Sequence, residues 1–186
     1  MRVVDALRPA ATAAAVVLMA AACSDTPAKP PASTPPPAPS AAASTDPAAA
    51  VATAEILDRF RSFRQAYDAA GLTADYKSTA LTQYLVDPLK QNVVRFLLET
   101  HVHGAAYKGE TQSTPEVTTL DLKAKTATVT ECYDTTKYLL FYTKSNSPVP
   151  VPSGSRRNVY ETQAKDFGGK KGWLFTKSQI FKDRSC

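Results

Sequence analysis

The chain has 186 residues, of which 44% are hydrophobic and 21% charged, a balance suited to one folded domain and far from that of a wholly disordered chain. Its formal net charge of +5 is spread along the sequence. With no arginine-rich stripe, nucleic acid is excluded as the expected partner, whereas an anionic envelope surface suits the charge.

The first stretch, "MRVVDALRPAATAAAVVLMAAAC", has Arg2 and Arg8 near its start and an apolar run from Ala10 to Ala22. That run is too short to span a hydrocarbon core of about 30 Å as a stable helix, so residues 1–22 read as a signal peptide. Ala20, Ala21 and Ala22 directly precede Cys23. This resembles the bacterial lipobox, in which the cysteine takes a diacylglycerol and becomes the mature N-terminus. The resemblance implies lipid attachment at Cys23, export, and anchoring on the outer face of the cell membrane. Ordinary cleavage after Ala-x-Ala, with Cys23 incidental, is the alternative.

Residues 23–52 are proline, alanine and serine with almost no large apolar side chain. Such a segment cannot bury a core, and it is expected to be a disordered spacer, partly extended as polyproline II.

Residues 53–186 carry the folded domain. In "TAEILDRFRSFRQAYDAAG", Ile56, Phe60, Phe63 and Tyr67 recur at helical spacing, with Arg59, Arg61 and Arg64 placed elsewhere on the turn and Gly71 as the stop. A second helix is expected within "TADYKSTALTQYL". A third follows in "VDPLKQNVVRFLLETHVHG", with Asp87 as N-cap, Pro88 at the first helical position, Leu89, Val93, Phe96, Leu97 and Thr100 inward, and Gly104 at the end.

The period then changes to two. "AAYKGETQ" is a strand candidate, and "EVTTLDL" and "TATVTECYD" form a hairpin across "KAK". "KYLLFYT" is a further strand. The prolines of "KSNSPVPVPSGS" mark a loop. "RRNVYETQAKDF" and "WLFTKSQIFKD" form a second hairpin across "GGKKG". The expected core includes Phe60, Phe63, Phe96, Leu97, Val129, Leu140, Trp173 and Phe175. Helices first and antiparallel strands after them give an α+β fold, with the helices packed on one face of a curved sheet.

That order resembles the NTF2-like, or cone-shaped α+β, superfamily. More narrowly, "ATVTECYD", "SRRNVYETQ" and "GGKKGWLFTKSQ" ending in a cysteine resemble small actinobacterial lipoproteins of unknown function. The cone scaffold hosts enzymes, transport factors and inert domains alike, so the resemblance implies a fold and no activity. In enzymes of that superfamily the cone's mouth is lined by tyrosine, aspartate or histidine. The candidates for a ligand cavity here are Tyr107, Tyr133, Asp134, Tyr138, Tyr142 and Trp173, each of which also suits plain strand packing.

Chemistry is sparse. The two histidines, His101 and His103, fall on different sides of a helix and suit its C-terminal end. As a metal pair they would need a third ligand such as Glu131 or Asp134, which spacing does not nominate. No nucleophile set and no phosphate-binding glycine loop can be assembled, so no catalytic residue, metal or cofactor is expected. Two readings stand. One is a noncatalytic envelope protein that binds another envelope protein or a small apolar ligand; the other is a cone-cavity enzyme performing proton transfer or hydrolysis. A dry, filled interior favours the first, and a deep pocket with a carboxylate at its base favours the second.

The chain has three cysteines. With Cys23 acylated, Cys132 and Cys186 remain and are expected to pair outside the cytoplasm. Two free thiols, or an intermolecular link through Cys186, are the alternatives.

Overall fold

The structure is a computed structural model that describes residues 46–184 and 186. The signal peptide, Cys23 and residues 23–45 of the spacer lie outside the described residues.

The first helix, α1 (Pro47–Thr73), starts six residues earlier than the aromatic period predicts. The Asp46 side chain accepts a hydrogen bond from the Ala48 N–H at 2.9 Å, Pro47 opens the helix, and the alanines that follow are the strongest helix formers. Residues 47–52, expected in the spacer, are therefore helical. The helix also runs through Gly71 and ends two residues later, where Ala74 takes the left-handed conformation at φ 50°.

A single short turn, α2 (Thr79–Thr82), is capped by Ser78, whose hydroxyl accepts from the Leu81 N–H. Helix α3 (Leu89–Val102) follows. Pro88 occupies its cap position, not the first helical one. Asp87 makes no cap bond and accepts instead from the Gln91 side chain at 3.0 Å.

Six strands complete the fold: β1 (Ala105–Gly109), β2 (Gln112–Asp121), β3 (Thr126–Asp134), β4 (Tyr138–Tyr142), β5 (Arg157–Asp166) and β6 (Trp173–Phe181). Both predicted hairpins form, β2–β3 and β5–β6, and the fold is α+β with every strand pair antiparallel. The expected single sheet is divided. Strands β2-β3-β5-β6 form one sheet and β1-β4 a second. The pairing Gln112↔Asp134 in the first and Gly109↔Tyr138 in the second are offset by one residue, so one bent ribbon feeds both. Gly109 permits the bend: at φ 98° a Cβ there would meet the Lys137 carbonyl oxygen.

The core lies between the helices and the inner face of the four-stranded sheet. Ile56, Phe60 and Phe63 of α1 meet Val129 and Phe175, and the Phe60 and Phe175 rings are 5.2 Å apart edge to face. Leu97 and Trp173 are buried as expected. Phe96 and Leu140 are not core residues. Phe96 is 37% exposed and Leu140 half-buried, and both belong to the wall of a cavity. The open edge of β6 is covered where the Phe175 N–H donates to Tyr84 and the Val86 N–H donates to Phe175.

Cys132 and Cys186 form a disulfide with Cα atoms 5.8 Å apart. Cys132 alternates out of the core, and the tail doubles back over that outer face, where the Val159 N–H donates to the Arg184 carbonyl.

Candidate functional site

The strand period decides what β3 aims at the helices. Ala127, Val129, Glu131 and Tyr133 share the inner face, so a carboxylate enters the core at Glu131, which is 1% exposed. On α1 the residues facing it are Phe60, Phe63, Arg64 and Tyr67, one helical stripe. Arg64 therefore sits within the aromatic stripe, not beside it as the sequence reading places it. Its guanidinium pairs with Glu131, whose other oxygen accepts from Ser113. The Arg64 Cζ stands 4.4 Å from the Tyr133 ring centroid and faces four more rings, which accounts for a buried Nε that has no hydrogen-bond acceptor among the described residues. Desolvation opposes the Arg64 charge most strongly, but the Glu131 carboxylate together with Tyr133 and Tyr67 offsets it, and the pKa is raised above its ordinary value.

One turn further along α1, Asp68 fastens the helix to both sheets. Its carboxylate accepts from the Tyr133 hydroxyl at 2.6 Å and from Thr111, and its carbonyl accepts from the Tyr138 hydroxyl at 2.8 Å. The Tyr107 and Tyr138 rings lie stacked, centroids 4.5 Å apart and 3° from parallel.

Beyond these side chains opens a cavity of about 840 Å³. Tyr67 and Gly71 of α1, Phe96 and Leu97 of α3, and Tyr107, Tyr133, Tyr138, Leu140 and Tyr160 of the strands form its wall. A strap, residues 151–156, closes one side and Lys182 stands at the rim. The strap is fixed at its ends, where the Val149 N–H donates to Leu140 and Arg156 accepts from the Thr135 N–H at 2.8 Å. Pro152 removes a donor within the strap, and Pro148 and Pro150 do so in the segment before it, where Pro148 bridges to Phe141 of β4.

Burial raises the pKa of all five wall tyrosines above the usual phenol range, so at neutral pH they are hydrogen-bond donors and poor bases. No carboxylate, imidazole or thiol stands among the wall residues. Asp68 is the nearest acid in the network, and both its oxygens are already engaged.

Three of the six expected cavity residues, Tyr107, Tyr133 and Tyr138, meet in this wall; the other three do not. Asp134 lies at the end of β3. The Thr136 N–H at 2.8 Å holds its carboxyl below the usual range, and Arg157 is 3.5 Å away. Tyr142 is 39% exposed at the far end of the β1–β4 pair, and Trp173 packs in the core near the start of α1. His101 packs its ring on Tyr76, while the His103 Nδ1 is 2.7 Å from the Glu99 carbonyl oxygen, so each has a structural partner at the end of α3. Among the described residues no three His, Cys, Asp or Glu side chains form a metal-binding group, and Glu131 belongs to Arg64.

The sequence reading missed Tyr67 and Tyr160 as wall residues, and with them Gly71, Arg156 and Lys182. For Tyr67 and Gly71 a signal existed: they stand four apart on α1, one turn beyond Arg64. The strap and Lys182 left none, because they reach the cavity only through the path of the chain.

No protein-family model matches this chain, and no curated protein does. Among solved structures it is similar to the intermembrane space region of the chloroplast protein ARC6, with a TM-score of 0.54 and 13% identity over 70% of this chain and 96% of that one. At that identity the likeness concerns the fold alone. No helix among the described residues is long and apolar enough to cross a membrane.

Proposed function

We propose that this protein is an exported actinobacterial lipoprotein, held on the outer face of the membrane through Cys23, whose NTF2-like domain holds a small apolar ligand without transforming it. The observation that carries the binding role is the cavity itself. It has about 840 Å³ of space walled by rings and aliphatic side chains, and its tyrosines are neutral donors. A pocket of this size and lining is suited to a small organic molecule. The envelope placement rests on the lipobox-like "AAAC" before Ser24, the proline-rich spacer, and a disulfide, which requires an oxidising compartment to persist. The ARC6 likeness contributes a fold to this reading and no ligand.

Native mass spectrometry of the chain purified from its own host tests the binding role: a discrete adduct of a few hundred daltons, released on unfolding, is expected. The bare mass alone would count against it. For the tether, Cys23→Ser is expected to move the protein from the membrane fraction to the medium. Unchanged fractionation would show that lipid is not what holds it.

One observation favours proton transfer or hydrolysis as a second reading: Asp68 stands one hydrogen bond behind the cavity wall through Tyr133. Under that reading Asp68→Asn abolishes turnover of a ligand while leaving its binding intact. Under the first, the bound molecule is recovered chemically unchanged.

A further inference from the structure

The cavity is asymmetric in charge. Its body is uncharged, formed by the Tyr107–Tyr138 stack, Leu97 and Leu140, whereas its mouth carries two cations, Arg156 on the strap and Lys182 just after β6. No acidic side chain stands among the wall residues. Among the described residues neither cation has an ion pair or a side-chain hydrogen bond, although Arg157 and Arg184 close by in sequence are both paired, with Asp134 and Glu161. Arg156 is near enough to favour the ionised form of Tyr107, against the burial that raises its pKa, so the guanidinium's field reaches the cavity interior. The hydroxyls of Tyr67, Tyr107 and Tyr160 have no protein partner among the described residues, in contrast to those of Tyr133 and Tyr138, which are committed to Asp68.

The charged inventory is therefore cationic: two cations at the mouth and three uncommitted phenols able to donate from the wall, with no anionic group facing them. A cationic head would be repelled by Arg156 and Lys182. A wholly apolar ligand would desolvate them without compensation. We infer that the cavity takes an amphiphile with an oxyanion head, its apolar body against the Tyr107–Tyr138 stack and its head between Arg156 and Lys182. This rests on the binding role proposed above and adds the chemical class of what is bound. The strap has a part in it, because the residue that supplies the guanidinium also anchors the strap's end through its carbonyl.

The test uses the full chain and four twelve-carbon probes at concentrations where each is monomeric in water: dodecanoate, dodecyl phosphate, dodecanol and dodecylammonium, each titrated by calorimetry. The inference expects at least one anion to bind about tenfold or more tightly than dodecanol, as charge-assisted hydrogen bonds require, and the ammonium to bind more weakly than the alcohol. Which anion binds better separates a carboxylate from a phosphate ester. Arg156→Gln with Lys182→Gln should bring the affinity of the anions down to that which dodecanol shows for the same double variant. Among the described residues neither side chain makes a structural bond, so the double variant is expected to fold, which its melting temperature checks. Gly154→Trp, at a strap position with open space around it, should weaken every probe by blocking the mouth. Equal binding of alcohol and anions overturns the oxyanion inference and leaves the cavity reading standing. Failure of all four probes, or dodecanol binding that survives Gly154→Trp, overturns both.

Discussion

Gly71 lies directly beneath the hydroxyl of Tyr138: a Cβ built on Gly71 would stand 2.0 Å from the Tyr138 Oη. This is why a glycine occupies the last turns of α1, where alanine would otherwise gain about 1 kcal/mol of helix propensity. The absent side chain lets Tyr138 reach the Asp68 carbonyl and complete the ring stack with Tyr107.

Gly71→Ala is accordingly expected to destabilise the protein, by about 1–3 kcal/mol as overpacking commonly does, despite the better helix former. Tyr138→Phe alone should cost about 1 kcal/mol for its lost hydrogen bond. In combination the two should be less costly than their sum, because the clashing oxygen is gone. Urea unfolding of the four chains measures the coupling. Strict additivity would show that the two residues do not meet.

The Arg64–Glu131 pair is buried, so removing one partner strands the other charge. Arg64→Met or Glu131→Leu alone should cost about 3–5 kcal/mol, while the double replacement should recover most of that loss. Equilibrium unfolding decides. Losses near zero for the single variants would place the pair at the surface.

Alkaline pH should unfold the protein. Burial raises the Tyr67, Tyr133 and Tyr138 pKa values in the folded state, whereas the unfolded phenols titrate near pH 10. Stability is thus fully present below about pH 10. It falls as pH rises toward the folded-state values, by about 1.4 kcal/mol per pH unit for each tyrosine held neutral. Tyrosinate absorbance near 295 nm should rise in two stages, the second coinciding with loss of the circular-dichroism signal. A single stage near pH 10 with the fold intact would show these phenols to be exposed.

The disulfide ties the tail to the outer face of β3. Cys186→Ser is expected to cost up to about 4 kcal/mol, the chain-entropy value for a loop of this length, with a sequence separation of 54 residues between the cysteines. Thermal melts with and without reductant check it: reductant should lower the melting temperature of the native chain and leave Cys186→Ser unmoved.

Trp173, the single tryptophan, is 6% exposed and should emit at the short wavelengths of a buried indole, shifting red on unfolding. Solvent-like emission from the folded protein would remove it from the core.

What the sequence determined by itself was periodic or local. The stripe Ile56, Phe60, Phe63 set the buried face of α1, alternation in "TATVTECYD" set β3, and the short turns "KAK" and "GGKKG" set the two hairpins, because each signal is written within a few consecutive residues. Cysteine arithmetic likewise supplied the Cys132–Cys186 pair. The tertiary structure alone decided where the ribbon bends, since the bend depends on Gly109 lying against the Lys137 carbonyl, with the whole β2–β3 hairpin between them in sequence. It alone decided that Phe96 and Leu140 face a cavity instead of the core, because an apolar residue satisfies either place equally well in pattern. Arg64 is the clearest case. A charge on an aromatic stripe looks like an intrusion until Glu131, from a strand 67 residues away, arrives to neutralise it. The mouth of the cavity was illegible for the same reason: Arg156 and Lys182 become neighbours of the tyrosine wall only when the strap and β6 have been laid down by packing that no local pattern encodes.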